Sequence, residues 1–209
     1  MNSPATLSII RTGSANLASV MVAARRLGLE PALIDDADRV EHDPWVILPG
    51  VGAFGAAMQT LRQYGIADAL RRRVQSERPL LAICLGLQLL AAASDESPGV
   101  AGLGLIDAVA ERFTSAPRVP QMGWNTITPT PNARLLRAGS FYYANSYRLP
   151  RIPAGWEGAL TTYGETFVAA LERGPILACQ FHPELSGEAG HQLLARWVAA
   201  CTALEPAPC

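Results

Sequence analysis

Leu80-Leu81-Ala82-Ile83-Cys84-Leu85-Gly86-Leu87-Gln88 decides the fold. Its first four residues are a short apolar run with strand character. From Leu87 to Ala93 the chain has strong helix formers and no breaker, which predicts a helix. Cys84 therefore sits at an abrupt strand-to-helix turn. Such a turn pushes a side chain out of the sheet edge, towards helix N-terminal N–H groups. Those amides favour the thiolate, the reactive form of a cysteine. A free cysteine is also common core filler, and this stretch alone leaves both readings open.

The surrounding chain repeats the pattern. Leu7–Ile10, Ala32–Ile34 and Trp45–Leu48 read as short apolar strands. A helix is expected up to about Leu27 with Gly28 as its stop, and others around Ala56 and over Ile66–Val74. Short strands alternating with helices imply an α/β fold: a three-layer, open, mostly parallel sheet with helices on both faces. Between about Gly104 and Leu171 the pattern changes to strands and turns, with Ala108–Phe113, Thr126–Thr128, Phe141–Tyr147, Ala159–Tyr163 and Thr166–Leu171 as candidates. These predict a partly antiparallel extension of the sheet. A last helix is expected from Glu188 to about Thr202. No linker or repeat divides the chain, so residues 1–209 are read as one domain.

Composition narrows the function. A hydrophobic share of 49% rules out a disordered chain, and a formal charge of -1 argues against a nucleic-acid or membrane-surface binder. All 17 basic residues are arginine, a compositional bias without evident chemistry. No apolar run approaches the roughly 20 residues that span a bilayer. The first residues, Met-Asn-Ser-Pro-Ala-Thr, are not leader-like, so a cytoplasmic location is expected. The cysteines Cys84, Cys179, Cys201 and Cys209 show no metal-like spacing and no disulfide framework. Cys179 and Cys201 read as core filler, Cys209 as part of a frayed tail.

The far end of the chain supplies the partner for Cys84. Ile176–Phe181 reads as another buried strand and runs into His182-Pro183-Glu184. A cysteine nucleophile needs a base, and the base needs a third group to set its tautomer. In an extended segment His182 and Glu184 point the same way, so the carboxylate can reach the imidazole. Attack on an amide also needs oxyanion donors, usually backbone N–H groups. Leu85 N–H and the Pro49-Gly50-Val51-Gly52 loop are the candidates. An ordinary glycine-rich turn would look the same when judged alone.

Together these residues resemble the triad-type, class I glutamine amidotransferases. The nucleophile motif G-x-C-x-G-x-Q is matched with Ala82 in place of its first glycine, and the late H-P-E is intact. Within that class the chain is similar to the glutaminase-subunit family of imidazole glycerol phosphate synthase. The segments that carry the likeness are Pro49–Gly55, Val119-Pro120-Gln121-Met122-Gly123-Trp124-Asn125, Phe141–Tyr147 and Gly13-Ser14-Ala15-Asn16-Leu17. The resemblance implies a flavodoxin-like amidotransferase fold. It implies that Cys84, His182 and Glu184 hydrolyse glutamine through a thioester, with Val51, Gly52 and Leu85 at the oxyanion. By the same resemblance Gly50, Gln88, Glu96, Ser146 and Tyr147 hold the substrate. Asn16, Gln121, Trp124, Asn145 and Leu185 would face a cyclase partner, a (β/α)8 barrel, in a heterodimer. The ammonia would be used there to form imidazole glycerol phosphate and an aminoimidazole carboxamide ribotide in histidine biosynthesis. No cofactor and no metal are implied. Gln121, Asn145, Leu185 and Arg11-Thr12 depart from the usual pattern without touching the triad. Rival readings are a glutaminase serving another synthase, a non-catalytic module of the same fold, and a stand-alone thiol hydrolase. The Met122-Gly123-Trp124-Asn125 segment opposes the first of these, and the intact triad residues oppose the second.

Overall fold

Four short apolar runs become the parallel heart of one sheet: β1 (Thr6–Ile10), β2 (Glu30–Ile34), β3 (Trp45–Leu48) and β4 (Leu80–Ile83). The computed structural model describes residues 5–12 and 17–203. The helices between these strands are α1 (Leu17–Arg26), α2 (Ala37–His42), α3 (Phe54–Gln63) and α4 (Ile66–Gln75). After β4 come α5 (Leu85–Leu90), β5 (Ala91–Ser94), β6 (Ile106–Arg112), β7 (Gln121–Pro129), β8 (Gly139–Asn145) and β9 (Tyr147–Arg148). The chain closes with β10 (Glu157–Tyr163), β11 (Glu165–Arg173), β12 (Ile176–Cys179), a 3-10 turn (Pro183–Leu185) and α6 (Gly187–Thr202).

The main sheet runs β2-β1-β3-β4-β12-β11-β10-β7-β8. The strands from β2 to β12 are parallel, and those beyond are antiparallel. Strand periodicity divides the core in two. Val46, Leu48, Leu80, Ala82, Ile176 and Ala178 pack with Val40, Phe54, Leu61 and Leu70 of α2, α3 and α4. Their neighbours Ile47, Leu81, Ile83, Leu177 and Cys179 pack with Val20 and Ala24 of α1 and Leu193 and Trp197 of α6. The expected three layers and antiparallel extension are both present.

Two expectations need correction. The helix expected over Leu87–Ala93 ends at Leu90, and residues 91–94 turn into β5. The cause is a competing set of donors: N–H groups of Gly102, Leu103, Gly104 and Leu105 bond to the carbonyls of Ala92, Leu89, Ala91 and Leu90. Those carbonyls are therefore lost to a longer helix. The strand expected over Ala108–Phe113 does not extend the main sheet. It forms β6, which joins β5 and β9 in a separate three-stranded sheet. α2 was not anticipated; Asp36 starts it, accepting the Asp38 N–H at 2.8 Å.

Ligands in open α/β sheets bind beyond the carboxyl ends of the strands. Here the ends of the neighbours β3, β4 and β12 deliver Pro49–Gly52, Cys84 and residues 180–184 to one place.

Candidate active site

Cys84 has φ 54° and ψ -107°, a backbone conformation that side-chain-bearing residues rarely adopt. It is held there from both sides. Its N–H donates to Cys179 O at 2.7 Å, and its carbonyl accepts from Gln88 N–H at 3.4 Å, opening α5. The turn can be this tight because Gly86 and Gly50 lack side chains. A Cβ on Gly86 would lie 2.2 Å from Leu48 O, and one on Gly50 would lie 2.5 Å from Leu85 Cβ. Backbone thus packs on backbone where β3 ends and α5 begins. Strain of this kind costs about 1–3 kcal/mol and persists only where the surroundings enforce it.

The His-Pro-Glu segment is not extended, as expected from the sequence, but a 3-10 turn with His182 at its N-cap. The pairing is still made: His182 Nδ1 lies 2.8 Å from Glu184 Oε1. Nδ1 is thereby committed to the carboxylate, and Nε2 is left for the hydrogen bond to Cys84. The turn is pinned to β8. His182 N–H donates to Tyr142 O at 2.8 Å, while Ser186 Oγ accepts Tyr142 N–H at 3.0 Å and donates to His182 O at 2.6 Å. Burial of His182 disfavours its charged form. Hydrogen bonds to Cys84 and Glu184 and their negative charge outweigh that and push the imidazole up to about 10. Burial, with Glu184 and Glu172 nearby, raises the Cys179 thiol well above the ordinary range, as suits core filler.

A cleft of about 180 Å³ opens over Cys84. Gly50, Val51, Gly52, Leu85, Gln88, Glu96, Ala144, Asn145, Ser146 and Tyr147 line it, so every expected oxyanion and substrate residue meets here. The volume lies below the roughly 300–1,000 Å³ typical of drug-sized ligands and suits a single amino acid. Leu85 N–H points at Gly50 O, 3.4 Å away, a long bond. Glu96 reaches the cleft while Oε2 accepts Phe54 N–H at 2.6 Å at the start of α3. Gln88 Nε2 donates to Tyr147 O and to Gln180 Oε1, each at 3.1 Å. Gln180 and Ala144 are the contributors that the sequence reading missed: Gln180 Nε2 lies 3.7 Å and Ala144 O 3.8 Å from Cys84 Sγ. The signal for Gln180 was its place two residues before His182, on the same side of an extended segment. For Ala144 there was none, since only its carbonyl takes part.

The expected interface residues divide. Trp124 is 58% and Leu185 38% exposed, and Met122, next but one to Trp124, is 68% exposed. Gln121 and Asn145 are instead buried and paired across β7 and β8, Asn145 also lining the cleft. Strand alternation explains this: Met122 and Trp124 point outward, so Gln121 must point in. Asn16 and the segment 13–16 lie outside the described residues, as does Cys209. Among the described residues no cluster suited to a metal ion occurs, and no helix is long and apolar enough to cross a membrane.

Residues 9–201 match the family described as Glutamine amidotransferase class-I, and the chain belongs to that family. It is similar in fold to a crystal structure titled glutamine amidotransferase (TM-score 0.75, 23% identity, 94% of this chain and 99% of that one). A structure titled PurLQS from Thermotoga maritima agrees at a TM-score of 0.71 with 16% identity, covering 94% of this chain and 99% of that one. Within the class its place is narrower: it falls in the family of imidazole glycerol phosphate synthase subunit HisH. The protein of that name from Symbiobacterium thermophilum is 40% identical over 198 residues, 92% of this chain and 93% of that protein. The one from Yersinia pseudotuberculosis is 42% identical over 191 residues, 89% and 95% of the two chains. The Arabidopsis thaliana protein named imidazole glycerol phosphate synthase hisHF, chloroplastic, is 38% identical over 205 residues, 94% of this chain but 34% of that protein.

Proposed function

We propose that the chain is the glutaminase subunit of imidazole glycerol phosphate synthase, one catalytic domain acting in the cytoplasm on glutamine and water. Cys84 Sγ attacks the side-chain carbonyl carbon of glutamine. His182, holding the proton on Nε2, delivers it to the leaving nitrogen. Ammonia departs and a glutamyl thioester remains. His182 then takes a proton from water, the hydroxide displaces Sγ, and glutamate leaves. Glu184 keeps Nδ1 protonated throughout. The oxyanion is held by Leu85 N–H and by an N–H of Val51 or Gly52. Gln88, Glu96, Ser146 and Tyr147 hold the amino-acid end of the substrate. The second carboxylate oxygen of Glu96 suits the substrate ammonium.

The observation that carries this reading is a His182–Glu184 pair at 2.8 Å, hydrogen-bonded onto a cysteine in a strained elbow, beneath an amino-acid-sized cleft. Ammonia is consumed by a cyclase partner, a (β/α)8 barrel bound as a heterodimer at the face of Met122, Trp124 and Leu185. Support comes from the word subunit in the relatives' names and from the Arabidopsis hisHF protein, where the matching segment is a minor part of a longer chain. Leu85 N–H is engaged by Gly50 O in the isolated chain. A rotation of the Gly50–Val51 peptide would free it, and partner docking is the proposed trigger. The test is the glutaminase kcat alone, with the cyclase, and with cyclase plus its nucleotide ligand. Activity should rise at each step. Full activity of the isolated chain, with no complex by light scattering, would overturn both the docking and the rotation.

A further inference from the structure

We propose that Gln180 is a positioning residue for the thiol step: its side-chain N–H donates to Cys84 Sγ and holds the sulfur as a thiolate turned towards His182. The proposal rests on Cys84 being the nucleophile and adds a residue that composition and motif did not single out.

Gln180 is fully buried, one residue beyond β12. A carboxamide in that position is costly unless its polar atoms are satisfied. Its oxygen accepts from Gln88 Nε2 at 3.1 Å, and its nitrogen lies 3.7 Å from Sγ. The orientation follows from the far end of the chain of bonds. Tyr147 O, a backbone carbonyl, can only accept, so the Gln88 group facing it at 3.1 Å must be the nitrogen. That nitrogen has a second hydrogen, which requires an oxygen on Gln180. The remaining Gln180 group, facing the sulfur, is then NH2. One backbone carbonyl thus orients two amides and aims a donor at Sγ.

The sulfur has a competing neighbour. Ala144 O lies 3.8 Å away and can only accept, so it favours a protonated S–H turned to β8. Gln180 and His182 favour the opposite state, an unprotonated sulfur that accepts. Removing the Gln180 donor tips Cys84 towards the thiol held by Ala144.

The experiment measures alkylation of Cys84 by iodoacetamide as a function of pH, read on the Cys84 peptide by mass spectrometry. The reagent is small and neutral and does not need the amino-acid end of the cleft. Gln180→Met keeps length and bulk but loses the donor. The expected result is a rate–pH profile moved about one unit higher, roughly tenfold slower labelling at neutral pH, with kcat for glutamine falling by a similar factor. If Gln180→Met does not fold, the smaller Gln180→Leu, which also has no donor, reads the same quantity and should move the profile in the same direction. A folded variant whose profile superimposes on the parent overturns the proposal and leaves Gln180 a packing residue. A parent Cys84 no more reactive than a cysteine in the unfolded chain would instead overturn the nucleophile reading, and this proposal with it.

Discussion

Gly86→Ala adds one methyl group at the tightest point of the elbow. Its Cβ would lie 2.2 Å from Leu48 O, 3.2 Å from Leu48 C and 3.4 Å from Leu48 Cγ. Leu48 cannot retreat, because β3 is clamped between β1 and β4. The start of α5 must therefore shift by about 1 Å in an interior that is close-packed. Two effects on stability oppose each other. Alanine is the better helix former by about 0.8–1.0 kcal/mol, while overpacking costs about 1–3 kcal/mol. The net is a loss between nothing and about 2 kcal/mol, a Tm drop of at most several degrees for a chain of this size. Activity should suffer more, since Cys84, Leu85 N–H and Gln88 all ride on that segment and a misplacement of about 1 Å costs about 100-fold. The assay pairs a thermal melt with steady-state glutaminase kinetics in the presence of the cyclase. A raised Tm with parental kcat would refute the claim that backbone contact between β3 and α5 sets the elbow.

Five other variants probe the triad and the docking face. Cys84→Ala removes two of the influences that hold His182 charged, so its imidazole should titrate below the parental value of about 10 in NMR. The stability that an imidazole raised in this way contributes is complete below its unfolded value of about 6.5 and is lost as pH rises through the folded one; Cys84→Ala should therefore narrow that window from the alkaline side. His182→Ala should lower kcat by about 10²–10⁴-fold, and Glu184→Ala by about 10–150-fold, the worth of one charge-assisted hydrogen bond. The double variant should be little worse than His182→Ala alone, and additive losses would mean that the two residues do not act together. Trp124→Ala should weaken cyclase binding by about 30-fold or more, as an exposed aromatic anchor would, without altering the melt; an unchanged Kd would move the interface elsewhere.

The parallel half of the fold was legible because each buried strand there is a short uninterrupted apolar run bounded by turn residues. Residues 91–94 were not, because backbone donors of Gly102–Leu105, which leave no side-chain pattern, take the carbonyls of Leu89–Ala92; residues 106–112 were legible as a strand, but their pairing with β5 and β9 in a separate sheet was not. Cys84, His182 and Glu184 were legible from residue type and position. The Cys84 backbone angle, the engagement of Leu85 N–H by Gly50 O and the closeness of Ala144 O were not, since all are main-chain features. The burial of Gln121 and Asn145 was not legible for a further reason: a motif says which residues belong to a segment, whereas strand alternation decides which of them are exposed.

The central claim is that Cys84 alone among the cysteines attacks a glutamine side chain. Incubation with a glutamine-analogue electrophile, followed by peptide mapping, tests it directly. Stoichiometric labelling of Cys84, slowed by added glutamine, with Cys179, Cys201 and Cys209 untouched, is the predicted result. An unlabelled Cys84, or hydrolysis of glutamine persisting in Cys84→Ala, would contradict it.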